Sequence, residues 1–315
     1  MAKVLVTGGR GTIGVPLVKE LKKRGHEVWQ IDLQHCAEPN YFRVDIGQYR
    51  QLKRVFDQQY DYVYHLAAEF GRINGEEYYE QVWQTNVIGT RNLLEFQKEQ
   101  GFKLIFTSSS EIYGESGSLS LKEGLSDEQP LFQQNDYAIS KWVNEMQILN
   151  FQKKFQTETV RVRLFNAYGP GENYHPYRSV VCLFCYRALH NRPFQVFKNY
   201  HRVFMYIDDL IPTLANISER FIPGRVYNIG GAEYRSVEEL AGLVLKHTGG
   251  GQHLIQLLPE DTHNTVNKRP DITRAVVELD HSPRITLEEG VPQTIEWMKD
   301  MYHKNRGLVA DAVVE

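Results

Sequence analysis

Tyr137 and Lys141 stand four residues apart in Tyr137-Ala138-Ile139-Ser140-Lys141, a spacing that on a helix puts a phenol and an ammonium on one face, one turn apart. An ammonium beside a phenol lowers its pKa, so the phenolate can take the proton of a substrate hydroxyl while a hydride leaves the same carbon. Such pairs also arise by chance on exposed helices, so the meaning of this one depends on its company. Thr107-Ser108-Ser109-Ser110-Glu111-Ile112-Tyr113-Gly114 supplies it. A hydroxyl-rich segment can be a turn or a helix cap. Three hydroxyls and a carboxylate at the C-terminal end of a strand, where open α/β sheets place ligands, favour a site in which Ser109 and Ser110 hold substrate oxygens.

A hydride needs an acceptor, and the N-terminus offers a place for one. In Thr7-Gly8-Gly9-Arg10-Gly11-Thr12-Ile13-Gly14, glycines follow an expected strand and open a helix. Gly8, Gly11 and Gly14 let backbone approach a pyrophosphate, and the amides of Thr12 and Ile13 at the helix start suit its charge. Asp32 lies 18 residues past Gly14, close to the ~20 expected for the carboxylate that binds the adenosine ribose. That carboxylate would repel a 2′-phosphate, which favours NAD over NADP. Arg10 is the counter-signal, because a guanidinium there suits a 2′-phosphate unless it faces solvent. Asp45-Ile46 is placed to contact adenine, and Leu66-Ala67-Ala68 to line the dinucleotide's trough. A strand-end cap and small-residue packing explain those two segments equally well.

Strands and helices must hold these residues. Short β-branched runs alternate with longer helical patterns through the first half, the signature of βαβ units. Strands are expected at Lys3–Thr7, Glu27–Ile31, Tyr62–His65, Lys103–Thr107 and Thr159–Arg163, with a short one before Asp45. Helices are expected near Ile13–Arg24, Tyr49–Gln58, Glu76–Gln100 and Tyr137–Phe155. The fold class that follows is α/β, a doubly wound parallel (Rossmann) sheet in residues 1–168 with a smaller C-terminal substrate-binding domain in residues 169–315. Val226–Ile229, closed by Gly230-Gly231, reads as a buried strand, so segments near 203–230 are expected to complete the sheet.

The 315 residues are 42% hydrophobic and carry a formal net charge of -3. That allows a sizeable core and gives no basic field to gather nucleic acid or anionic lipid. No apolar run reaches the ~18 to 20 residues of a membrane helix and the N-terminus lacks the order of a signal peptide, so a cytoplasmic protein is expected. Cys36, Cys182 and Cys185 are too few for a disulfide framework. Cys182 and Cys185 fall inside an apolar run with no second pair to complete a zinc site, which predicts buried structural thiols and no metal.

Taken in order, these motifs resemble the extended short-chain dehydrogenase/reductases acting on nucleotide-sugars, the epimerase/dehydratase family, over nearly the whole chain. Further similar segments are Thr85-Asn86-Val87-Ile88-Gly89-Thr90, Arg163-Leu164-Phe165-Asn166-Ala167-Tyr168-Gly169-Pro170, Arg202-Val203-Phe204-Met205-Tyr206-Ile207-Asp208-Asp209 and Arg269-Pro270-Asp271-Ile272. The resemblance implies NAD as cofactor, a nucleotide-diphosphate sugar as substrate and transient oxidation at sugar C4. Ser109 would hold the C4 oxygen and Tyr137 would be the base. Lys141 would bind the nicotinamide ribose and tune Tyr137, Asn86 would belong to the cofactor site, and Asn166 with Arg202 would contact the diphosphate. A guanidinium and an amide suit a diphosphate. For Arg202, an ion pair with Asp208 or Asp209 is the competing arrangement.

A C4 ketone acidifies the C5 proton, so the group beside C5 should choose the outcome. Glu111 suggests proton removal there, as in 4,6-dehydration or 5-epimerisation. Thymidine-diphosphoglucose dehydratases carry Asp-Glu where this chain has Ser110-Glu111, and mannose-nucleotide dehydratases and glucuronate decarboxylases are more similar at that place. Decarboxylation needs no C5 base but does need a cation for the carboxylate, a part open to Arg178 or Arg269. The expectation is a 4,6-dehydratase with Glu111 as C5 base. Nucleotide-hexuronate decarboxylase and 4-epimerase are alternatives, and a catalytically silent dinucleotide-binding sensor is the alternative of another class. The long helices at Glu76–Gln100 and Tyr137–Phe155 are expected to pair with their symmetry mates in a homodimer.

Overall fold

The computed structural model describes residues 1–259 and 265–304. Strands β1 (Lys3–Thr7), β2 (Glu27–Asp32), β3 (Tyr41–Arg43), β4 (Tyr62–His65), β5 (Lys103–Ser109), β6 (Thr159–Leu164) and β7 (Val226–Ile229) form one sheet in the order β3-β2-β1-β4-β5-β6-β7. Every pairing is parallel. Parallel strands are buried on both faces, which is why Val4, Leu5 and Val6 follow one another without alternation in β1. Val4 and Val6 point to the layer of helices Gly14–Lys23 and Ile207–Glu219, while Leu5 points to Gly89–Gln100 and Asp136–Phe155. The strand order reverses between β1 and β4, and a crevice opens at the strands' C-terminal ends there.

The chain returns to the sheet at β7 after leaving it at Leu164, as the Val226–Ile229 run suggested. Between and beyond lie short ribbons. Ala167–Tyr168 pairs with Met205–Tyr206, and His201–Val203 lies between Tyr234–Ser236 and Asn267–Lys268. Cys182 and Cys185 are free and buried in helix Val180–Leu189, where burial pushes both thiols far up.

Two expected helices differ. Tyr49–Gln58 is helical only through Lys53, and the turn that follows lets Phe56 stack on Phe96 and Phe102. The stretch Glu76–Gln100 is not one helix: Arg72–Glu77 ends at Tyr78, a new turn runs from Tyr79, and Trp83–Ile88 forms a widened π-type turn before Gly89–Gln100. Within the widened turn Asn86 aims inward, its amide bound to the backbone of Glu69 and to the Ser140 hydroxyl. Side-chain bonding inside a helix is a usual cause of such a bulge.

Beneath the crevice lies a buried charge cluster. Glu145, fully buried on helix Asp136–Phe155, accepts Ser108 Oγ at 2.6 Å, Arg161 Nη1 at 3.0 Å, and Arg163 through both Nε at 3.0 Å and Nη2 at 2.9 Å. Burial alone would raise this carboxyl, and the two guanidiniums outweigh it and hold it ionised. Glu145→Ala strands both cations, so the unfolding free energy should drop by about 3–5 kcal/mol in urea titration. A loss below ~1 kcal/mol would show that the cluster is not structural.

Candidate active site

A cleft of about 560 Å³ occupies the crevice at the switch point. Of the residues expected at the site, Gly8, Gly11, Thr12, Ile13, Gly14, Asp32, Asp45, Ile46, Leu66, Ala67, Ala68, Ser109, Ser110, Glu111, Tyr137, Lys141, Asn166 and Arg178 line it. Asn86, Arg202 and Arg269 lie elsewhere.

The glycine turn is as tight as the spacing requires. Gly8 has φ +68, and a Cβ there would come within 2.8 Å of the Ala67 backbone nitrogen. A Cβ on Gly14 would strike the Gly8 carbonyl oxygen at 2.1 Å. The backbone cradle therefore exists only with glycine at both places, and it faces the N-terminus of helix Gly14–Lys23, where an anion is favoured. Thr7 holds the next strand end against it, since its hydroxyl accepts the Ala67 N–H at 3.1 Å and meets His65 Nδ1 at 2.8 Å. Burial lowers the His65 pKa to about 3, so this imidazole is a neutral strut. Asp32 ends β2 on the rim of the cleft. The parts suit a dinucleotide: a bare backbone cradle for the pyrophosphate and a carboxylate for the ribose.

Helix Asp136–Phe155 begins with Asn135 as cap, its Oδ1 accepting Ala138 N–H at 2.9 Å, and this sets the register that turns Tyr137 and Lys141 into the cleft. Lys141 Nζ donates to the Thr107 carbonyl at 2.9 Å, and burial lowers its pKa to about 8. Burial raises Tyr137 to about 12, opposed by a hydrogen bond with Ser109 and reinforced by the negative Glu111. The phenol thus sits above its ordinary range, not below it as the Tyr-x-x-x-Lys spacing suggested. The lysine faces the Thr107 carbonyl, and desolvation of the phenol dominates.

Glu111 follows Ser110 in a short 3₁₀ turn whose start is capped by Ser109, with Glu111 N–H to Ser109 Oγ at 3.2 Å. Its carboxylate binds the ammonium of Lys268, a residue 1% exposed and not among those expected at the site. Burial pushes Glu111 up, but Lys268, together with the charges of Arg202 and Arg72, keeps the carboxyl below its usual range. Lys268 pairs with Arg202 across a two-residue ribbon. Arg202 spends guanidinium donors on the carbonyls of His201 at 2.8 Å, Thr265 at 2.5 Å and Val266 at 2.8 Å. Neither Asp208 nor Asp209 is the partner in those bonds, and Asp209 accepts the amides of Arg284 and Ile285 instead.

Arg269 lies over the Tyr234 ring at 5.8 Å and borders a second hollow with Val203, Gly231 and Asp271, so it does not face Glu111. Lys268 and Arg269 are neighbours in the chain, and only the structure shows which of the two cations reaches Glu111. Arg178 reaches the cleft over Phe70 at 4.8 Å. Asn166 donates Nδ2 to the Val203 carbonyl at 2.9 Å.

A cradle suited to a dinucleotide, a carboxylate on its rim and a Ser-Tyr-Lys set meet at one switch point, an arrangement that suits oxidation of a hydroxyl. The chain belongs to the NAD dependent epimerase/dehydratase family, which it matches over residues 4–230, and NAD is its cofactor. Its relatives include the UDP-N-acetyl-alpha-D-glucosaminuronate decarboxylase of Bacillus cytotoxicus, 29% identical over 95% of this chain and 98% of that protein. UDP-glucuronic acid decarboxylase 1 of Danio rerio is also 29% identical, over 96% of this chain and 74% of its own. Among solved structures, UDP-glucose 4-epimerase of Thermotoga maritima with UDP-glucose superposes with a TM-score of 0.85 at 26% identity, covering 95% of this chain and 99% of that one. UDP-glucuronic acid 4-epimerase of Bacillus cereus, in complex with UDP-glucuronic acid and NAD, gives 0.84 at 26% identity, covering 95% and 100%.

Tyr137→Phe should lower turnover by about 10²–10⁴-fold while leaving NAD affinity within a few-fold, as read by steady-state kinetics and calorimetry. Lys141 generates a pH signature in stability. Its pKa is about 8 folded against 10.5 for the free side chain, so across that window the unfolded chain binds more protons. Relative to Lys141→Met, the wild type should gain up to about 1.4 kcal/mol per pH unit as pH rises through the window, and nothing below it. A pH-independent difference would place the ammonium in water.

Proposed function

We propose that this chain oxidises C4 of a nucleoside-diphosphate hexuronate and releases its C6 carboxyl as carbon dioxide. The carrying observation is the buried Lys268 ammonium bound to Glu111, which lines the cleft. Dehydration with Glu111 as C5 base needs a carboxylate free to take a proton. A carboxylate held by an ammonium is a weakened base and a better electrostatic partner. The relatives acting on UDP-glucuronic acid and UDP-N-acetyl-glucosaminuronate support the same substrate class.

In this reading NAD supplies the acceptor, and afterwards the donor, of the C4 hydride. Ser109 fixes the C4 oxygen and Tyr137 takes its proton, leaving a ketone β to the C6 carboxylate. Lys268 orients that carboxylate next to Glu111. The C5–C6 bond then breaks, its electron pair passes into the C4 carbonyl as an enolate, and repulsion between the two carboxylates is relieved as carbon dioxide leaves. Protonation at C5 and return of C4 to the alcohol close a redox-neutral cycle.

Incubation with UDP-glucuronic acid in deuterium oxide, followed by mass spectrometry and proton NMR, should show carbon dioxide loss and one deuterium at C5. Lys268→Met should cut that turnover at least about thirtyfold, with Lys268→Arg restoring part of it. Water loss from a nucleotide-hexose with deuterium at C5 would return Glu111 to the role of base. An isomer of unchanged mass without deuterium would mean 4-epimerisation, and no turnover on any of these would favour the silent sensor.

The same reading includes a homodimer. Ile88, Met146, Leu149 and Phe155 leave apolar surface exposed on the paired helices Gly89–Gln100 and Asp136–Phe155 and the turn that precedes them. Sedimentation should give a dimer that Leu149→Arg dissociates. A wild-type monomer at micromolar concentration would rule it out. Among the described residues no helix is long and apolar enough to cross a membrane. Three free cysteines fit the reducing cytoplasm, which is where we place the protein.

A further inference from the structure

Arg10 leaves the glycine turn at the ribose end of the cleft. Its backbone N–H donates to Asp32 Oδ2 at 3.0 Å, so its side chain starts beside the carboxylate that suits the ribose hydroxyls. A guanidinium there is well placed for a 2′-phosphate. It does not face solvent alone. Nη1 donates to Glu38 Oε1 at 2.9 Å, with Glu38 supplied by the loop between β2 and β3.

Glu38 is itself held from other sides. Gln30 Nε2 donates to its second oxygen at 3.3 Å, and Lys22 Nζ lies 3.7 Å from that oxygen. Gln30 in turn packs under the turn, since a Cβ on Gly9 would meet its side chain at 2.9 Å. Two cations and an amide from three separate elements therefore converge on one carboxylate. That donor set is one a phosphate would accept. We propose that Glu38 is a specificity-determining residue: it fills, from within the chain, the cationic corner a 2′-phosphate requires, and with Asp32 it excludes NADP.

Asp32 acts by repelling the phosphate, and Glu38 acts by removing its partner. The two contributions separate experimentally. Calorimetric titration of the purified full chain with NAD and NADP, without sugar substrate, reads cofactor affinity apart from turnover. Glu38→Gln should tighten NADP about tenfold, the value of one charge-assisted contact regained, and leave NAD within about twofold. The gained affinity should fall with added salt and vanish in Arg10→Ala/Glu38→Gln. Arg10→Ala alone should not alter NADP affinity, because the guanidinium is already spent. Unchanged NADP affinity in Glu38→Gln, a gain that survives loss of Arg10, or weakened NADP binding in Arg10→Ala alone would each overturn the assignment.

Discussion

Desolvating a carboxylate costs several kcal/mol, and Glu145 has no exposure at all. Everything at the substrate end of the cleft leans on how that cost is met. Glu145 stands one turn beyond Lys141 and two beyond Tyr137, so the bonds it makes fix the helix that carries both. Through Ser108 it also fixes the end of β5, next to Ser109. Arg163 passes the constraint onward, donating Nη1 to the Tyr113 hydroxyl at 2.8 Å and the Glu123 carbonyl at 2.9 Å. Tyr113 donates to Asn228 Oδ1 at 2.7 Å, and Asn228 Nδ2 holds the carbonyls of Leu121 at 2.8 Å and Asp271 at 3.2 Å. Leu121 also bonds the Arg269 carbonyl. One carboxylate thus anchors the helix bearing Tyr137 and Lys141, the turn bearing Glu111 and the segment bearing Lys268.

The same burial shapes the reactive groups. It raises Tyr137, lowers Lys141, and pushes Glu111 up against the cations that hold it down. Each shift disfavours charge. A phenol pushed up to about 12 is protonated at neutral pH, and positive charge beside it would favour its ionised form. Low dielectric also strengthens whatever charges do meet there.

What the sequence disclosed follows from how local each signal is. The glycine turn, Asp32, Ser109 and the Tyr137–Lys141 pair are set by spacing within a single strand, turn or helix, and all of them line the cleft. Arg269 was a near miss for Lys268, because sequence alone does not show which of two adjacent cations turns toward Glu111. Asn86 sits in a motif of the family, yet the structure gives it to Glu69 and Ser140, where it shapes the cleft from behind. The break at Tyr78 has no proline to announce it. Glu38 reaches Arg10 from a loop, and loops carry no periodicity to read.

Glu111 and Lys268 lie 157 residues apart, and Lys268 falls beyond the stretch that matches the family. A chain growing from the ribosome completes β7, and with it the whole sheet, before Lys268 exists. Strands and cleft floor are thus written in the chain ahead of the ammonium that faces Glu111. A chain ending after β7 would keep Arg72 and Arg202, which also favour the ionised carboxylate, but would lack the Lys268 ammonium bound to it.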